Sequence, residues 1–141
     1  MATIRATMWA MVLSFAAAAG LPAMGQGGLL GHWKMDEGAG DAVTDSSPHA
    51  HDGDVVGACW ARGPFGSALH FDGQGDLVRI AQFRGLDGAE QMTLEAWVMW
   101  EEGGRYPNIV TGGRWSPGGF LIFVTDRNCY FRMGTPGCSA A

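Results

Sequence analysis

Charge is scarce in this sequence. Charged residues make up 16% of its 141 positions, against a usual quarter. Nine Lys and Arg face fourteen Asp and Glu, for a net charge of −5, and no run of basic residues occurs anywhere. A nucleic-acid partner, which needs a basic patch to meet its phosphates, is thereby set aside. Helical patterning is missing as well. After residue 25 no segment carries an apolar stripe at helical spacing for three turns. Proline is sparse at 6, while glycine reaches 23, more than double its usual share. Glycine in that amount without a proline period excludes collagen and suits an all-β chain with many turns.

Before Met8 the only charge is Arg5, and Met8 to Leu21 is an alanine-rich apolar run. Pro22-Ala23-Met24-Gly25 ends it with small residues at its third-last and last useful positions. This is the pattern of a secretory signal, so residues 1–25 are expected to be a signal peptide cut after Gly25. The apolar run is short for a bilayer, which takes about 20 residues. No cysteine follows it to carry a lipid. A secreted or cell-surface protein with no membrane span after cleavage is the expectation. Cys59, Cys129 and Cys138 all fall in the exported part, where disulfides persist. Cys129 and Cys138 bracket Tyr-Phe-Arg-Met-Gly-Thr-Pro-Gly and are placed to staple a hairpin. The odd count also allows Cys59 or Cys138 to pair with a residue outside this chain.

Ala68 to Ile80 is the stretch that organises the rest. Leu69 and Phe71 alternate on one side of Asp72-Gly73-Gln74-Gly75-Asp76, and Val78 and Ile80 on the other. Alternation broken by Asp-Gly and Gly-Asp predicts a hairpin. Met92 to Trp100 is the longest strand candidate, with Leu94, Ala96, Val98 and Trp100 on one face and Thr93, Glu95, Trp97 and Met99 on the other. Leu29–Met35, Asn108–Thr111, Gly119–Thr125 and Cys129–Met133 are further strands, and Asp87–Glu90 a single helical turn. Short strands parted by turn signals predict an all-β sandwich.

Several blocks resemble a known family. Gly31-His32-Trp33-Lys34-Met35-Asp36-Glu37-Gly38-Ala39-Gly40, then Asp45-Ser46-Ser47 and Gly53, look like the opening of laminin-G-like domains of the concanavalin A-like lectin/glucanase superfamily. Gly66-Ser67-Ala68-Leu69-His70-Phe71-Asp72-Gly73 with Asp76-Leu77-Val78-Arg79-Ile80 resembles the next block. Met92-Thr93-Leu94-Glu95-Ala96-Trp97-Val98 resembles the third, and Ile109-Val110 with Gly112 the fourth. The resemblance implies an antiparallel jelly-roll β-sandwich of concanavalin A-like type. Such domains run to nearly twice the length left here, so residues 26–141 are expected to form a partial domain, incomplete at the C-terminal end.

The superfamily's glucanases carry a Glu-x-Asp-x-x-Glu strand, whose carboxylates serve as nucleophile and acid/base. That spacing does not occur here, and the adjacent Glu101 and Glu102 would point to opposite faces of a strand. The expectation is a non-catalytic chain. Asp72 and Asp76, on a glycine-rich loop, are the candidate Ca²⁺ ligands; Asp36, Glu37 and Asp45 are weaker ones. Turn aspartates equally serve local hydrogen bonding. Indole faces stack on sugars, and Tyr106 and Trp115, in glycine- and proline-rich loops, are the candidate ligand-binding aromatics. Trp33 and Trp97 lie in strand patterns and are expected to pack in the core. The function these features imply is an exported laminin-G-like module that binds carbohydrate or another extracellular ligand. An accessory module of a larger secreted glycoside hydrolase and an adhesive surface protein with a protein partner are the alternatives.

Overall fold

The structure, a computed structural model, describes residues 8–17, 28–83, 86, 91–100, 108–113, 119–125 and 128–134. The chain is all-β and antiparallel, with no α-helix among the described residues. It divides into two compact units, Met1–Gly103 and Gly104–Ala141.

The first unit holds two sheets. The larger contains Met8–Ala17 (β1), Leu29–Trp33 (β2), Cys59–Gly63 (β5), Gly66–Phe71 (β6) and Met92–Trp100 (β8); the smaller contains Ala42–Val43 (β3), Gly53–Val56 (β4) and Leu77–Ile80 (β7). β1 is the centre of the larger sheet. β8 pairs along one edge of it from Met8↔Trp100 to Ala17↔Met92. Its other edge is shared, with β6 taking Met8 to Ala10 and β2 taking Leu13 to Ala16. The apolar run read as a leader therefore also supplies a strand.

The expected hairpin across Asp72–Asp76 is corrected. β6 and β7 do not pair with each other; β6 pairs with β5 in the larger sheet and β7 with β4 in the smaller. The turn that reverses the chain is Pro64-Phe65, closed by Gly63↔Gly66, and Gly66 takes a φ of 133° that neither Pro64 nor Phe65 adopts. Gly53 to Ile80 is thus one long hairpin with its tip at Pro64-Phe65. Its outer half pairs Cys59↔His70 through Gly63↔Gly66, and its inner half pairs Gly53↔Ile80 through Val56↔Leu77. Between the halves lie Gly57 and Ala58 on one arm and Phe71 to Asp76 on the other, and there the hairpin leaves one sheet for the other.

Trp33, Val43, Ala68 and Leu69 are fully buried, with Leu30, Met35 and Phe71 close to it. The first-strand reading of Leu29–Met35 runs two residues too far, because the backbone turns left-handed at Met35, φ 55°. The Trp33 indole lies against the Gly31 backbone two residues earlier, where a Cβ would collide with the ring. In the smaller sheet Gly53 sits between its register partners Val43 and Ile80, and a Cβ there would come 2.9 Å from the Val43 side chain.

The second unit is a three-strand meander of Asn108–Gly112 (β9), Phe120–Thr125 (β10) and Asn128–Met133 (β11), with β10 in the middle. Phe120 and Phe123 are its buried side chains. Phe123 stacks on its cross-strand partner Tyr130, ring centroids 5.1 Å apart, and the Arg132 guanidinium lies 5.2 Å from the centre of the Phe123 ring. Cross-strand aromatic pairs of this kind hold small sheets together.

Candidate functional site

The loop from Thr44 to Asp52 folds over the start of β2 and is organised by one carboxylate. Asp45 forms an isolated bridge with Trp33, and its side chain has no solvent exposure. Oδ1 accepts the backbone N–H groups of His32 and Ser47, each at 2.8 Å. Oδ2 accepts the Ser47 hydroxyl at 2.7 Å and the His51 N–H at 2.8 Å. Two oxygens with about four lone-pair sites are thereby saturated. Burial raises the Asp45 pKa, but the hydrogen bonds from His32, Ser47 and His51 outweigh it, and the carboxyl is held below its ordinary value. The lone pairs of Asp45 are engaged by the chain's own donors. It is the acceptor that shapes the loop.

Other acidic side chains near it do the same work. Asp52 Oδ1 accepts the Asp45 N–H at 2.8 Å, and Glu37 Oε1 accepts the Thr44 N–H at 2.7 Å. His51 completes the cluster. Its Nδ1 lies 3.1 Å from the Leu30 carbonyl and 3.7 Å from Asp45 Oδ2, its backbone carbonyl accepts the Trp33 Nε1–H at 2.7 Å, and its ring meets Phe83 edge-on.

Asp72 and Asp76 lie at the bend of the long hairpin. Asp76 Oδ2 accepts the Asp72 N–H and Asp72 Oδ1 accepts the Gln74 N–H, both at 2.7 Å. The second contact is an Asx-turn, and Gly73 and Gly75 take the positive φ angles, 77° and 100°, that such a corner demands. Asp76 Oδ1 rests against Gly57 on the neighbouring arm, where a Cβ would collide with it. Each carboxylate thus has an oxygen engaged with the chain itself. Among the described residues no group of three or more His, Cys, Asp or Glu side chains converges as metal ligands would.

Trp97 is not in the core, contrary to the expectation. It is 65% exposed, on the outward face of β8 with Met99, while Leu94, Val98 and Trp100 on the opposite face are half-buried. Both faces of this strand carry apolar side chains, so alternation alone does not say which turns inward. Trp97 also stands where β1 and β8 slip register: two residues, Met11 and Val12, lie between partners Ala10 and Leu13 against the single Trp97 between Val98 and Ala96. Such a bulge re-aims the side chains around it. Beside Trp97 stands Phe65 from the hairpin tip, 77% exposed, with ring centroids 6.4 Å apart and planes at 81°.

Phe65 and Trp97 form the candidate ligand surface, an aromatic pair held by a strand and a tight turn and open to solvent. A ring plane and a ring edge set at right angles make an L-shaped apolar step, and that shape takes a flat apolar face against one wall. Sequence reasoning missed Phe65; the signal was a large aromatic in a Gly-Pro-Phe-Gly turn, a place that favours exposure. The aromatics chosen from sequence, Tyr106 and Trp115, lie outside the described residues, as does Cys138. Cys129 is exposed on β11.

No family model matches the chain, and neither does any curated protein or solved structure.

Proposed function

We propose that this is an exported, non-catalytic carbohydrate-binding module of the laminin-G-like type, with a jelly-roll arrangement of its strands. The observation that carries the reading is the solvent-facing Phe65–Trp97 pair on an antiparallel sheet. Aromatic faces left in water at this size are costly unless a ligand covers them, and the apolar face of a pyranose matches an indole ring in extent. The non-catalytic part of the reading draws support from the acidic side chains: Glu37, Asp45, Asp52, Asp72 and Asp76 all accept backbone N–H groups, a structural use of the carboxylates. The leader-like residues 1–25 support export, and the sequence blocks quoted above support the family.

The test is retardation in native gels containing β-glucan, xylan or galactomannan, followed by calorimetry with the polysaccharide that retards. Trp97→Ala is expected to weaken binding about tenfold or more, the factor that 1.4 kcal/mol makes. Phe65→Ala should weaken it less, and both should leave the melting temperature within a few degrees, since surface changes stay near ±0.5 kcal/mol. Binding that survives loss of both rings would overturn the assignment of the site.

Calcium belongs to the same proposal only at Asp72 and Asp76. Ca²⁺ held by the native state alone would raise the melting temperature by mass action, and Asp72→Asn with Asp76→Asn would abolish the rise. An identical melting temperature in millimolar Ca²⁺ and in chelator would remove calcium from the function.

A further inference from the structure

The ten residues of β1 belong to the segment that reads as a cleaved leader, yet they occupy the middle of the larger sheet. β1 pairs with three strands, and among the described residues β8 pairs with β1 alone. β2 likewise meets β6 and β8 only through β1 among the strand pairings. Taking Met8–Ala17 away leaves β8 on one side and β2 with β6 on the other, separated by the width of one strand. Both facing edges would then present unpaired N–H and C=O groups, which invite another extended segment.

We propose that this place is a strand-acceptor slot, and that its occupant in the unprocessed chain is the chain's own segment Met8–Ala17. The inference rests on the leader reading for its second half: cutting after Gly25 severs the occupant from the body, so that it stays seated by pairing alone and becomes exchangeable. The slot is defined on both sides. It takes an extended segment of about ten residues, antiparallel to β8 and to β2 and β6 at once, and every position from Leu13 to Ala16 has a partner on each edge. The segment seated there, Met-Trp-Ala-Met-Val-Leu-Ser-Phe-Ala-Ala, has no charge, no proline and no glycine. Main-chain pairing on two edges supplies the attraction, as in β-augmentation, and the lack of charge suits a central strand. A leader used this way is an exchangeable structural strand: it holds the sheet closed before processing and, once severed, can be replaced by another segment of its own length.

The experiment uses the whole unprocessed chain, purified and refolded, with Cys59, Cys129 and Cys138 replaced by serine. Ser14 faces Glu95 across the β1–β8 pair, so Ser14→Cys with Glu95→Cys should oxidise to an internal disulfide, visible as a mobility shift on a non-reducing gel. Ser14→Cys with Met99→Cys, four residues out of register, should stay reduced. In a second arm a specific protease site is placed within residues 18–27 and cut after folding. The freed segment should co-elute with the body on gel filtration, and a labelled synthetic peptide of residues 8–17 should exchange into its place. Leu13→Pro in that peptide removes a ladder donor in the middle of a central strand and should abolish exchange, whereas Leu13→Val should not. Equal oxidation of both cysteine pairs, or a freed segment that elutes alone with no change in the body's melting temperature, would overturn the slot. N-terminal sequencing of exported protein tests the leader separately. An intact Met1 there would cancel the severing of the occupant by processing and leave the occupied slot standing.

Discussion

Replacing Asp45 with alanine is expected to lower the unfolding free energy by about 3–5 kcal/mol, the loss typical of stripping a buried charged acceptor from its donors. The carboxylate takes the N–H groups of His32, Ser47 and His51 together with the Ser47 hydroxyl. Alanine takes their acceptor away, and each buried group left unsatisfied costs about 1–3 kcal/mol. Against a total stability of about 5–15 kcal/mol, the variant should sit near its unfolding midpoint in mild denaturant. The same residue sets an acid limit. Its folded pKa lies below the ordinary value, so its contribution is complete above the unfolded carboxyl value of about 3.9 and is lost as pH falls through the lower folded value. Urea titrations at a series of pH values from neutral to strongly acidic read this directly. The wild-type curve should steepen below about pH 4, as the unfolded state binds the proton first. Asp45→Asn should lack that component. An Asp45→Ala variant within 1 kcal/mol of wild type would show that the loop is held by something else.

Trp33→Ala should be as damaging, by about 3–5 kcal/mol, because it empties a fully buried aromatic site. The indole covers Gly31 and donates its Nε1–H to the His51 carbonyl, so alanine creates a cavity and an unpaired acceptor together. Trp33→Phe separates these losses. It keeps most of the apolar volume and drops the hydrogen bond, and the expected cost is about 1–2 kcal/mol. Trp33 and Asp45 are bridge partners and both hold His51, so the double variant should cost less than the sum of the single ones. Chemical denaturation of the wild type and the four variants checks both statements; strict additivity would mean that the two side chains act independently.

Strand positions were legible in the sequence and strand partners were not. Met92–Trp100 forms with the bounds its alternation predicts, and β9, β10 and β11 lie within a residue or so of their expected limits. Alternation reports a local period, which the backbone of each strand must satisfy whatever lies beside it. Partnership is a long-range property. The Asp72–Asp76 stretch has every mark of a hairpin turn, yet its glycines and aspartates serve a corner between sheets just as well, since both need positive φ and side chains that accept nearby N–H groups. Asp45 was legible as a turn former and a weak Ca²⁺ candidate, not as the centre of a loop. The Asp-x-Ser spacing that lets one carboxylate take an N–H two residues on hints at local bonding, but nothing local shows that His32 and His51 also donate to it. Trp97 misled because a strand with apolar residues on both faces does not declare which face is covered. Met8–Ala17 carries one composition that suits both a leader and a central strand, so its place in the sheet had no separate signal.

The bent hairpin from Gly53 to Ile80 also dictates how the first unit can assemble. Its pairings close over short sequence separations, starting at Gly63↔Gly66 and zipping outward, and hairpins of this sort form in about 1–10 μs. Once the zipper passes Gly57 and Asp76, a single local event has laid down two neighbouring strands of each sheet, β5 with β6 and β4 with β7. The entropy of bringing the two layers together is met early, by residues that are never far apart along the chain. β3 then adds to β4, and β2 to β1, from nearby, while β1 must reach β6 and β8 across greater separations in sequence. The hairpin is thus the seed on which the rest condenses. Giving Gly57 a side chain that pushes Asp76 aside is therefore expected to slow refolding more than it hastens unfolding, which the two limbs of a denaturant rate profile would read.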